Sequence, residues 1–139
     1  MPGALAQLPE WDAGTAAVLC TTDAMGAPHA IPVSTALRAG PRAIVLGLGA
    51  RRASLAFLRA RPAAALSVMA AGTAFTAYGT ARVIAQDAAG VAAVRLDVDA
   101  IADHRQPTFA LDGPVAWRWT DAEAAARDAA VRDALRATF

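Results

Sequence analysis

The sequence predicts a mainly β fold, a barrel of six to seven antiparallel strands, on three observations. Short apolar runs alternate with period two between Gly, Pro and Asp turns. Only one convincing helix interrupts them in the first half, and a second helix closes the chain. The 139 residues make one domain, 1–139, large enough to bury a core without metal or disulfide staples.

Leu5 to Leu8 reads as a short turn of helix before Pro9. Thr15 to Thr22 is the first strand, with Val18 and Cys20 on one face and Leu19 on the other, and Asp23 to Pro28 supplies turn residues. Strand two, about His29 to Arg38, sets His29, Ile31, Val33, Thr35 and Leu37 on one face and Pro32, Ser34 and Arg38 on the other. Pro32 cannot donate a ladder hydrogen bond, which argues for a bulge or an edge. Gly40-Pro41 leads into strand three, Arg42 to Leu48, which Gly49 ends.

The short helix, Arg51 to Arg61, falls between strands three and four, with Leu55 and Leu58 at i,i+3 and Pro62 forbidding continuation. Strand four runs roughly from Ala63 to Ala71 and turns at Gly72 into strand five, Thr73 to Gln86. There Phe75, Ala77, Ala81 and Val83 share one face, and Thr76, Tyr78, Thr80 and Arg82 the other. Asp87 to Gly90 turns into strand six, where Val94, Leu96 and Val98 alternate. A looser segment, Asp99 to Pro114, precedes a last strand, Val115 to Trp119. Thr120 with Glu123 forms a capping box for the C-terminal helix, whose thin stripe of Ala124, Val131 and Leu135 suggests peripheral docking.

All thirteen basic residues are arginines. Without lysine there is no Schiff base to pyridoxal phosphate and no P-loop lysine. The arginines are scattered and the net charge is +1, which gives no footprint for nucleic acid or for an anionic membrane surface. One cysteine, Cys20, allows no intrachain disulfide, and two distant histidines make no metal-ligand spacing. The uncharged run from Pro62 to Ala81 is long enough to cross a bilayer, yet Gly72, Gly79 and its period-two second half read as paired strands. The first residues carry neither a basic leader nor a continuous apolar stretch, so the expectation is a cytoplasmic protein.

Three segments carry a resemblance: Ala-Ile-Pro-Val-Ser-Thr at 30–35, the run from Ala43 through Gly47, Gly49 and Arg51-Arg52 to Pro62, and Ala-Leu-Ser-Val-Met at 65–69. They resemble the FMN-binding split barrel of the pyridoxamine 5'-phosphate oxidase-like superfamily. Glycines at a strand end, a helix N-terminus and two guanidiniums also make a plausible phosphate cradle, although on spacing alone arginines facing water are as good an account. The resemblance implies a homodimer with FMN shared between subunits, Pro32, Val33 and Ser34 beside the ring, and Leu48 and Gly49 near the ribityl chain. It puts Arg51, Arg52 and Ser54 near the phosphate and the polar face of Tyr78 near the dimer seam and cofactor.

Arg52 stands where the family usually has serine and Ser54 where it has lysine, so the cationic and hydroxyl partners are exchanged. Ile31 replaces an arginine of the true oxidases, and Thr73 to Gly79 replaces their arginine-rich substrate motif; oxidation of pyridoxine phosphate itself is not expected.

The remaining candidates have ordinary readings. His29 reads as a surface or capping residue, with a base or substrate contact as the sharper alternative. Cys20 reads as a buried small hydrophobe. Trp117 and Trp119 read as core or dimer packing, or as a lid from the partner subunit. The functional expectation is an FMN-dependent oxidoreductase of a small organic substrate. The alternatives are a deazaflavin F420-dependent reductase of the same fold and a non-catalytic binder of flavin or haem, since no clear acid–base pair stands out.

Overall fold

The computed structural model describes residues 3–139. Along the chain run β1 (Ala17–Thr22), β2 (Pro28–Val33), β3 (Leu37–Gly40), β4 (Ala43–Leu48), α1 (Ala53–Ala60), β5 (Ala63–Ala70), β6 (Thr73–Ala88), β7 (Val91–Asp103) and α2 (Ala122–Arg136). The seven strands form one antiparallel sheet in the order β2-β1-β5-β6-β7-β4-β3. Strands β2 and β3 are thus opposite edges of the sheet, yet only Ser34, Thr35 and Ala36 separate them in sequence. From Val33 to Leu37 the chain reaches at most about 14 Å, so the sheet must roll until its edges nearly meet. No ladder joins them, and the barrel stays split along that seam.

This division corrects the reading of a single strand from His29 to Arg38. The alternation breaks there: Thr35, Ala36 and Leu37 are buried in succession, with Val33 and Ala36 in the barrel interior and Leu37 on the opposite side of the sheet with Val45, as the chain leaves one edge at Val33 and joins the other at Leu37. Because of the split, the short helix falls between β4 and β5. The expected last strand, Val115 to Trp119, does not form; the segment is tied by Trp117 Nε1 to Gly14 O, and the chain just before it by Gly72 N–H to Leu111 O. β7 runs on to Asp103, so the looser segment starts later than its composition suggested. Leu5 to Leu8 is a bent strap, not a helical turn, with Leu5 N–H bonded to Ile101 O and Leu8 N–H to Pro41 O.

The barrel interior is filled by Leu19, Ile44, Leu46, Leu66 and Phe75, each at most 1 % exposed. On β1 the inward residues are Ala17, Leu19 and Thr21, so Val18 and Cys20 face outward and Cys20 is half-buried, not the core residue it was read as. β4 is buried on both faces, with Ile44, Leu46 and Leu48 in the barrel and Val45 in a second cluster with Leu37, Ala93, Val131 and Leu135 beneath α2. That explains its unbroken apolar run. α2 therefore docks more firmly than its thin stripe implied. Its N-cap is Asp121, whose carboxylate accepts the Glu123 N–H at 2.8 Å, one residue later than the Thr120 box.

α1 buries Ser54, Leu55 and Leu58. Its end is fixed by Arg61, which donates to Asp23 O at 2.6 Å and Ala24 O at 3.1 Å in the β1–β2 turn. Gly79 marks a register shift between β6 and β7, where a Cβ would stand 2.0 Å from the Asp97 carbonyl oxygen. Pro62 to Ala81 spans β5 and the start of β6. Among the described residues no helix is long and apolar enough to cross a membrane.

Candidate functional site

A cleft of about 450 Å³ opens along the seam. One wall is Ile31 to Thr35 at the end of β2, and the facing wall is Gly47, Leu48, Gly49 and Arg52 where β4 gives way to α1. The remainder comes from the β6–β7 turn at Ala89 to Val91 and from the α2 region, through Trp119, Arg127, Asp128 and Val131. That turn is a two-residue hairpin with Ala89 and Gly90 at positive φ, 55° and 94°, and the Asp87 carboxylate accepting the Gly90 N–H at 2.7 Å.

Side chains stitch the seam where the ladder does not. Thr35 Oγ1 accepts the Gly47 N–H at 3.0 Å, so this amide has a partner and is not a free donor for a phosphate. Gly47 has a packing role instead. A Cβ there would approach Val91 Cγ2 to 2.7 Å and Val131 Cγ1 to 2.9 Å, so its absence lets α2 seat against β4. One turn earlier on α2, the Asp128 carboxylate accepts the Ser34 hydroxyl at 2.6 Å and pairs with Arg132. With its only proton committed to Asp128, Ser34 Oγ presents lone pairs alone to anything else in the cleft.

The start of α1 is electropositive. Arg52 occupies the N-cap with no side-chain cap, and the first turn holds no acidic residue. Arg52 N–H bonds Gly49 O and Leu55 N–H bonds Arg52 O, while the amides of Ala53 and Ser54 have no backbone acceptor among the described residues. Ser54 Oγ is buried, at 1 % residue exposure, and has no hydrogen-bond partner among the described residues. Arg51 and Arg52 are both exposed, but only Arg52 lines the cleft.

Six of the nine candidate residues thus border one cleft: Pro32, Val33, Ser34, Leu48, Gly49 and Arg52. Arg51 and Ser54 flank its α1 end, and Tyr78 stands apart. In the sheet register Tyr78 shares a row with Ala65, Cys20 and Ala30, while Pro32 begins the next row, followed by Val18, Ser67 and Thr76. Both rows lie on the outer face. Three strand spacings, about 14 Å, and one row along the strand separate Tyr78 from Pro32. His29 sits outside the cleft with its ring edge-on to Phe57, 5.1 Å between centroids. Thr76, read as a polar face residue, is buried in a hydroxyl chain with Ser67 Oγ at 2.6 Å and His104 Nε2 at 2.8 Å. No cluster of three metal-ligating side chains exists among the described residues.

No protein-family model and no curated protein matches the chain. Solved structures do. A protein from Lactobacillus delbrueckii, provisionally assigned as a pyridoxamine 5'-phosphate oxidase, superposes with TM-score 0.61 at 19% identity, covering 71% of this chain and 98% of that one. The chain has the pyridoxamine 5'-phosphate oxidase-like split-barrel fold. An F420 reductase matches this split barrel with TM-score 0.58 at 14% identity, covering 64% of this chain and 89% of that one. An FMN-binding protein from Syntrophomonas wolfei matches with TM-score 0.56 at 11% identity, covering 65% and 77%. At these identities the likeness is one of fold.

Sequence reasoning missed the contribution of α2 to the split barrel's cleft. Asp128, Val131 and Leu135 follow one another at i, i+3 and i+7, so an acidic residue on the helix's buried face was the available signal. Arg127 had no such signal, because it lies on an exposed position that only the fold brings to the seam; Trp119, read as packing or as a lid from the partner subunit, is exposed and lines the cleft of its own chain.

Proposed function

We propose that this split barrel is a homodimeric FMN-binding oxidoreductase of a small organic substrate, working in the cytoplasm. The observation that carries the reading is the seam cleft, where residues of β2 and of the β4–α1 junction, far apart in the sheet order, face one another across a space of ligand size. The α1 end fits a phosphate. Arg52 extends into the cleft without a side-chain partner, Arg51 adjoins it, two amides lack acceptors, and Ser54 holds an orphaned buried hydroxyl. Bound FMN would supply hydride or electron transfer, while Pro32 and Val33 give an apolar edge and Ser34 a hydrogen-bond acceptor.

The dimer reading rests on the outer sheet face. Val18, Met69 and Tyr78 are exposed there at 41%, 55% and 47%, and the row from Thr76 through Val18 to Pro32 leads to the rim of the cleft. A second copy packed on this face brings its Tyr78 toward the cleft that its partner's own Tyr78 cannot reach.

Titration of wild type and an Arg51→Gln, Arg52→Gln double variant with FMN and riboflavin tests the reading. Each charge-assisted contact contributes about 1.5–3 kcal/mol, so FMN weakens by roughly a hundredfold or more while riboflavin, lacking the phosphate, loses far less. Equal losses for both ligands would overturn the phosphate assignment. The F420 reductase among the solved structures of this fold favours a second reading, F420 as the cofactor. A wild type that binds F420 but neither FMN nor riboflavin selects it.

A further inference from the structure

The cleft walls carry two guanidiniums, Arg52 and Arg127, and one carboxylate, Asp128. The carboxylate is already engaged by the Ser34 hydroxyl and by Arg132 behind it. Arg127 is not neutralised: its one ion pair among the described residues, with Glu123 at 4.0 Å along the same helix, joins side chains 68% and 88% exposed and contributes next to nothing. If Arg52 serves a cofactor phosphate, Arg127 is a second cation at the α2 wall of the same cleft.

Beside it stands a flat, fixed aromatic surface. Trp119 is 43% exposed and lines the cleft, and its ring meets that of Trp117 edge-to-face with centroids 5.2 Å apart. Trp117 is anchored in turn by its Nε1–H donating to Gly14 O at 3.1 Å. An indole held in this way stacks on a planar ligand with little ordering cost, and a free guanidinium fork matches a carboxylate. We infer that Trp119 and Arg127 form the substrate wall of the cleft and that it takes a planar organic anion, an aromatic or conjugated carboxylate. The inference rests on the proposed function only in treating this ligand as the substrate; the binding preference itself stands without a flavin.

Calorimetric titration with benzoate, benzamide and cyclohexanecarboxylate, on the protein with and without FMN, separates the two features. Benzoate binds more tightly than benzamide, which lacks the charge, and than cyclohexanecarboxylate, which lacks the flat ring. Arg127→Gln weakens benzoate by about tenfold or more, to the level of benzamide, and Arg127→Lys restores part of the loss. Both Arg127 variants keep the FMN affinity of wild type, whereas Arg52→Gln weakens FMN and leaves benzoate alone. Benzoate binding no better than benzamide, or unchanged by Arg127→Gln, overturns the inference, as does an Arg127→Gln variant that loses FMN instead. Benzoate preference retained in a protein that binds no FMN keeps the inference and sinks the flavin reading.

Discussion

The Ser34 hydroxyl donates to the Asp128 carboxylate at 2.6 Å, joining the end of β2 to α2 across 94 residues of sequence. This bond crosses the barrel seam at the cleft and does three things at once. It fixes the C-terminal helix, it satisfies a carboxylate that is only 8% exposed, and it sets the hydrogen-bonding polarity of Ser34.

Replacing Asp128 by alanine leaves Arg132, largely buried, without its partner and Ser34 without its acceptor. The expected cost is roughly 2–3 kcal/mol of stability, read by urea unfolding. Ser34→Ala is expected to cost less, because the Asp128–Arg132 pair survives. Equal, near-zero effects for both variants would show that α2 is held by Val131 and Leu135 alone.

Gly47→Ala is expected to destabilise by about 1–3 kcal/mol, because the new methyl meets the stiff side chains of Val91 and Val131. The double variant Gly47→Ala, Val131→Ala tests the mechanism. A double-mutant cycle with favourable coupling of at least about 0.5 kcal/mol locates the clash at α2; strict additivity removes it.

The strands and α1 were legible because each is read from local alternation and local breakers. Phe75, Ala77 and Ala81 announce the inward face of β6 by period, and Pro62 announces the end of α1. The seam was not legible. In sequence the run passes through Ser34, Thr35 and Ala36 with no turn residue to mark a break, yet in the fold Thr35, Ala36 and Leu37 are buried in succession while the ladder passes from β1 at Val33 to β4 at Leu37. The β2 and α1 sides of the cleft could be proposed from a family likeness. The α2 side rests on long-range contacts such as Ser34–Asp128, which have no periodicity to betray them.

Asp103 titrates at about 2, below the usual 3.8, chiefly because Arg105 donates Nε to Oδ1 at 3.0 Å and NH2 to Oδ2 at 2.8 Å, with the Arg105 backbone N–H assisting. Its folded value lies below its unfolded one. The contribution to stability is therefore complete above about pH 4 and disappears as the pH falls toward 2. Arg105→Gln is expected to raise the Asp103 titration toward 3.8 and to flatten the acid limb of the stability profile in that window. Carboxyl chemical shifts followed by NMR check it, and an unmoved Asp103 titration would assign the depression to the backbone donor alone.

The outer face carries the last prediction. Val18 and Tyr78 are exposed on adjacent rows of that face, and neither side chain makes a hydrogen bond or ion pair among the described residues. Val18→Asp and Tyr78→Asp are therefore expected to leave monomer stability within about 0.5 kcal/mol. Each places a like charge against its symmetry mate or its surroundings in a two-fold interface, which costs several kcal/mol of association. Wild type is expected to scatter light as a dimer at micromolar concentration and the double variant as a monomer. FMN binding is expected to weaken with the dimer if the cofactor is shared. Thr76→Ala serves as the contrast: its hydroxyl is buried between Ser67 and His104, so it should lower stability without releasing the dimer. A wild type that is strictly monomeric, or a monomeric double variant with undiminished FMN affinity, places the whole site within one chain.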